Sequence, residues 1–145
     1  MKRINLKTLI TASLLFVAVL AKAQTKAADE IIRLMDKATT DWNKGDLPAY
    51  MALYDASATM MMPTGRAGLA DIENLYVKYY FVDKMPKQEL AYNNYQVTML
   101  GNDYALLTGV FVLKANDKLK ERKGSFSLIF VHRPEGWKIL HDHSG

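Results

Sequence analysis

Two histidines stand two residues apart near the carboxyl end, in the run Gly136-Trp137-Lys138-Ile139-Leu140-His141-Asp142-His143-Ser144. Alternate residues of a strand share a face, so Trp137, Ile139, His141 and His143 are expected together, with Lys138, Leu140 and Asp142 on the reverse. An imidazole titrates near neutrality, and an apolar pocket keeps it neutral and able to accept a proton. His141 and His143 are therefore the candidate acid/base residues, with the Tyr54 or Tyr95 hydroxyl as donor to developing oxygen charge. The alternative is a structural pair, bonded to backbone or to each other near the mouth of the fold. A metal site usually takes a third protein ligand, and the only other histidine is His132, so no metal is expected. Asp46, Asp71, Asp103, Asp117 and Glu135 fall in helix starts and turns, and no acid takes an obvious inward strand position. Asp142 is expected to face away from both imidazoles.

A second group of residues suits a ligand cavity. Trp42, Met60, Met62, Tyr76 and Tyr80 combine adaptable apolar bulk with a few polar tips, a lining for a small, largely apolar organic molecule. Plain core packing is the competing reading for each. Arg66, after the turn Pro63-Thr64-Gly65, offers a planar fork to an anion or else a solvated loop residue. The absence of Cys excludes disulfides, thiolate metal sites and Cys nucleophiles. There is no G-x-x-x-x-G-K-[ST], G-x-S-x-G or H-E-x-x-H, and no cofactor is expected.

Helices and then strands must position these groups. Ile31, Met35, Ala38 and Trp42 recur at helical spacing within residues 26–44, closed by Lys44-Gly45. Asp46 caps a second, short helix carrying Pro48 in its first turn. Ala58–Met62 reads as a first strand, and 69–81 as a third helix stopped by Lys84-Met85-Pro86. Beyond Pro86 the chain alternates as sheet: Tyr95, Val97 and Met99; Tyr104–Leu113, apolar on both faces; Gly124–Val131; and Trp137–His143, joined by turns at Gly101-Asn102, Asn116-Asp117 and Pro134-Glu135-Gly136. Such a meander is antiparallel and needs its apolar face covered. The expected class is α+β: a curved antiparallel sheet wrapped around three N-terminal helices as a cone.

The chain has 145 residues, 19 of them Lys or Arg and 15 Asp or Glu. Residues 1–23 hold Lys2, Arg3, Lys7 and Lys22 and no acid; taking those four away leaves 15 basic against 15 acidic residues. The basicity is therefore the leader's. The basic hairpin Lys114–Lys123 is interrupted by acids and lacks interleaved aromatics, so nucleic-acid binding is not expected. A positive start, the uncharged apolar run Thr8–Leu20 and Ala21-Lys22-Ala23 form the pattern of a secretory signal over 1–23. It leaves a single exported domain, 24–145, periplasmic or extracellular and without a membrane anchor. The competing reading is an uncleaved anchor.

Several short motifs carry a resemblance. Trp42-Asn43-Lys44-Gly45-Asp46 with Tyr50 and Leu53-Tyr54 is similar to a "W-x-x-G-D…L-Y" helix junction. Pro63-Thr64-Gly65 and Gly68–Leu75 are similar to a turn into a third helix. Gly136–Ser144 resembles the closing strand of the SnoaL-like and calcium/calmodulin-dependent kinase association-domain branches of the nuclear transport factor 2-like superfamily. The resemblance spans residues 26–144 and implies the cone fold. It also implies a small-molecule pocket with cofactor-free isomerase, dehydratase or cyclase chemistry in the manner of ketosteroid isomerases and SnoaL-like proteins, and a homodimer built through the sheet. The alternative is a non-catalytic ligand-binding or homodimeric interaction module of the same fold.

Overall fold

The computed structural model describes residues 6–145, with side chains from Gln24 onward; the expected leader, residues 1–23, lies outside the residues whose side chains are described. Helix α1 (Leu6–Asn43) starts well before residue 26, and no Pro or Gly in that stretch interrupts it. It buries Ile31, Met35, Ala38 and Trp42 along one face, as the spacing predicts. Gly45 ends it with φ at +80°. Its N–H bonds the Trp42 carbonyl at 2.9 Å while the Asp46 N–H reaches the Asp41 carbonyl at 2.9 Å, the paired bonds of a glycine C-terminal motif. The Asp46 carboxylate then accepts from the Ala49 N–H at 3.0 Å and starts α2 (Leu47–Met51).

After α2 come β1 (Tyr54–Met62), β2 (Gly65–Gly68), α3 (Leu69–Tyr80) and a small hairpin of β3 (Phe81–Val82) with β4 (Met85–Pro86). Four long strands follow: β5 (Leu90–Met99), β6 (Tyr104–Leu113), β7 (Arg122–Arg133) and β8 (Gly136–Ser144). They form an antiparallel meander, as expected. The full sheet has the order β2-β1-β8-β7-β6-β5 and is mixed, because β1 runs parallel to β8. This corrects the all-antiparallel expectation. The tight turn after β7 leaves the other edge of β8 free, and α2 delivers β1 to that edge in the parallel direction. The helices are also not all N-terminal, since α3 follows the β1–β2 hairpin.

The two faces of the sheet differ. Ala105, Leu107, Leu113, Phe126, Leu128, Phe130, Trp137 and Ile139 are buried on the concave side, in one core with the helices. Gly109 is required on this sheet: a Cβ there would lie 2.6 Å from the Phe126 ring. On the convex side Leu106, Val110, Val112 and Ile129 stay only half-buried, and no described helix packs over them. The expected two-sided covering of Tyr104–Leu113 is therefore absent from the single chain. No described helix is long and apolar enough to cross a membrane.

Candidate functional site

The last strand does not alternate regularly. Ile129 of β7 pairs with His141, but the next residue, Phe130, pairs with Ile139. Leu140 is thus an extra residue, a β-bulge, and it exchanges the two faces of the strand beyond it. Trp137 and Ile139 point into the cone before the bulge, and Asp142 does so after it, only 3% exposed. His141 is turned to the convex side, half-buried, with Nδ1 2.8 Å from the Thr59 hydroxyl. His143 is exposed and lines a convex-side groove with Gly109 and Ser125. Neither imidazole lines the cone cavity, which corrects the placement of His141 and His143 expected from strict alternation.

Asp142 occupies the place expected for them. It lies on a cavity of about 80 Å³ between the helices and the concave face. Trp42 from α1, Tyr50 from α2, Tyr54 from β1, Tyr76 and Tyr80 from α3 and Tyr92 from β5 contribute aromatic lining. Trp42 is the hub: its ring makes edge contacts with Tyr50, Tyr76, Tyr80 and Phe81 at centroid distances of 4.9–5.9 Å, each such pair adding roughly 0.5–1.5 kcal/mol to burial. Its indole N–H donates to the Gln88 carbonyl at 3.3 Å. The exposed residue Ser144 is also on the lining, so the cavity meets solvent at the end of β8.

The polar atoms of the cavity form a connected set. The Tyr54 hydroxyl donates to Asp142 Oδ2 at 2.7 Å, and the Ser144 hydroxyl donates to Oδ1 at 2.6 Å. The Tyr54 and Tyr76 hydroxyls are 2.8 Å apart. Because Tyr54 has spent its single proton on Asp142, Tyr76 must be the donor in that bond. The Tyr50 and Tyr92 hydroxyls pair at 3.0 Å. Burial raises Asp142 above the usual carboxylate range, with the Ser144 and Tyr54 hydrogen bonds pulling the other way. Burial likewise pushes Tyr50, Tyr54, Tyr76 and Tyr92 well above the ordinary phenol value, so at neutral pH they are protonated donors.

The remaining expected site residues divide. Trp42, Tyr54, Tyr76 and Tyr80 line the cavity; Met60 is buried in the core and Met62 packs half-buried against it, neither on the lining. Tyr95 also lies off the cavity, near Asp36 and Thr39, its hydroxyl raised chiefly by burial. Arg66 is exposed on β2, away from the cavity. Tyr50, Tyr92 and Asp142 escaped the sequence reading. An acid amid the apolar residues of the final strand was the available signal for Asp142. Among the described residues, no group of three or more His, Cys, Asp or Glu side chains could hold a metal.

A second buried carboxylate sits at the edge of β1. Asp55 accepts from Arg133 Nε at 2.7 Å and Nη2 at 3.2 Å, and from the Ser57 N–H and hydroxyl. The Arg133 guanidinium, followed by Ser57, holds it well below the usual carboxylate range.

A helical plug over a bent, mixed sheet with a cavity between them defines the class of nuclear transport factor 2-like proteins. Within that class, residues 27–145 match the calcium/calmodulin dependent protein kinase II association domain, and the chain belongs to that family. Its fold is similar to a nuclear transport factor 2-like protein of unknown function from Shewanella oneidensis MR-1, at 29% identity over 80% of this chain and 96% of the other, TM-score 0.70. The association domain of the C. elegans kinase II superposes with TM-score 0.71 at 17% identity, covering 84% of this chain and 97% of that one. A scytalone dehydratase-like protein of Novosphingobium aromaticivorans gives 0.70 at 12% identity, with 86% of each chain covered. No curated protein matches the chain.

Proposed function

We propose that this chain is an exported, self-associating cone protein that holds one small, largely apolar organic molecule at Asp142. The observation that carries this reading is the pairing of a buried carboxylate with protonated tyrosine hydroxyls on an otherwise apolar cavity that reaches solvent. Apolar walls with a few convergent polar groups are the usual make-up of a ligand site. The cavity's modest size favours a compact guest over a polycyclic one. In a ketosteroid isomerase-like or SnoaL-like role, proton transfer falls to Asp142, held in place by the Tyr76–Tyr54 hydroxyl chain, because His141 and His143 cannot reach a guest in the cone. The test is a small-molecule screen read by the Trp42 indole N–H resonance and by melting temperature. A guest at about 100 times its Kd stabilises the native state by about 2.7 kcal/mol. A screen in which every stabilising compound shifts the Trp137 indole and leaves Trp42 unmoved would remove the site from the cone.

Self-association is supported by the half-buried apolar residues on the convex face and by membership of an association-domain family. Sedimentation at micromolar concentration should show a dimer or larger, and Ile129→Lys should release monomer. A wild-type monomer would refute it. Export rests on the pattern in residues 1–23, and the secreted form should begin at Gln24.

A further inference from the structure

We infer that the guest in the cone is a small organic cation, an ammonium group seated between the Asp142 carboxylate and the surrounding aromatic rings. This deepens, and rests on, the reading of the cavity as a binding site.

Charge is the first argument. Asp142 is the one carboxylate on the lining, and no Lys, Arg or His lines the cavity. A guest anion would face that carboxylate at short range in a weakly screening interior, whereas a cation would supply the counter-charge that the cavity lining lacks. The Arg122 guanidinium lies over the Tyr80 ring at 6.0 Å and lines a surface groove with it rather than the cavity.

Hydrogen-bonding capacity is the second. Asp142 Oδ2 accepts one bond from Tyr54, and Oδ1 accepts one from Ser144. Each carboxylate oxygen has a further lone pair. Tyr54 and Tyr76 have both committed their protons within the network. Beside Asp142, where the neighbouring hydroxyl protons are spent, the site is thus richer in acceptors than in free donors; the Tyr50–Tyr92 pair keeps one uncommitted proton. The Asp142 end calls for a guest that donates, as an alkylammonium does and a carboxylate or phosphate does not.

The walls are the third. Trp42, Tyr50, Tyr76 and Tyr80 belong to one cluster of rings around the cavity. Aromatic rings attract cations through their quadrupole, most strongly Trp, and more so when the pair is out of water. Removing an ammonium from water is expensive, and a carboxylate with aromatic walls is the combination that offsets it. The small cavity limits the guest to a few non-hydrogen atoms at this end.

Three probes of matched size test this on the full folded domain: isopropylammonium, isopropanol and acetate, each titrated at pH 7.5 while the Trp42 and Trp137 indole resonances are followed. The inference expects isopropylammonium to shift Trp42 with an affinity at least about tenfold above isopropanol, and acetate not to bind. Asp142→Asn should lower the ammonium affinity at least about tenfold, to that of isopropanol. Should that variant not fold, the comparison of probes on the unaltered protein decides alone. Equal binding of the cation and the alcohol would overturn the cation and leave the cavity a binding site, and so would preferential binding of acetate. Binding of none of the three at Trp42 would overturn the cation assignment; failure of the wider screen as well would remove the binding site.

Discussion

Asp55 and Asp142 are both buried aspartates beside β1, 8% and 3% exposed, yet the protein treats them in opposite ways. Asp55 is held by a two-toothed guanidinium and a serine, and its charge is secured. Asp142 is held by two hydroxyls, with no basic side chain on its cavity. Burial alone raises a carboxyl group's pKa; a partner cation reverses the sign. The first aspartate is complete and ties β1 to β7. The second is left with capacity to spare at the edge of a void, and that difference is the ground on which it is proposed as the binding group.

The largest effect should come from removing the buried one of the two donors to Asp142. Tyr54→Phe leaves a buried carboxylate short of a hydrogen bond, at an expected cost of about 1–3 kcal/mol in urea unfolding at pH 7. Asp55→Asn should cost about 1 kcal/mol, because the Arg133 side chain is partly exposed and water screens the pair. Asp142→Asn should fall within about 1 kcal/mol of wild type on the stabilising side, since it discharges a buried group with no basic side chain on its cavity.

The same pair should separate with pH. The folded-state pKa of Asp55 is depressed, so its stabilisation is complete above the unfolded value near 3.9 and is lost as pH falls below it. The folded-state pKa of Asp142 is raised, so its contribution is fully present below about 3.9 and is lost as pH rises through the folded value. Melting curves from pH 7 to 3 should therefore show a shallower acid loss for Asp55→Asn than for wild type, and a steeper one for Asp142→Asn. The smallest effect belongs to His143→Gln: within about 0.5 kcal/mol in stability, with guest binding in the cone unchanged. A loss of binding there would restore the imidazoles to the site.

Much of the architecture was legible from residues. Helical spacing located the face Ile31–Trp42 and the start of α3, Gly45-Asp46 located the junction of α1 with α2, and alternation located the four meander strands. Side-chain direction in β8 was not legible, because period-two reasoning assumes an unbroken ladder. One extra residue, Leu140, turned His141 and His143 outward and Asp142 inward. A bulge is set by how β8 registers on β7, a long-range pairing that local sequence does not encode. The parallel contact between β1 and β8 escaped for the same reason. Trp42, Tyr54, Tyr76 and Tyr80 were found because large amphipathic rings on helix and strand faces are candidates wherever they occur. Tyr50 and Tyr92 look the same in sequence and were told apart only by their positions around the cavity.

Asp142 lies in the cone with no basic side chain on its cavity. The direct measurement is a carboxyl-carbon NMR titration of the aspartates, with Asp142 and Asp55 assigned through their Asn variants. Asp142 is predicted to titrate above the ordinary aspartate midpoint and Asp55 below it. An Asp142 midpoint at or below the ordinary value would mean a solvated or cation-paired carboxylate, and would contradict the site.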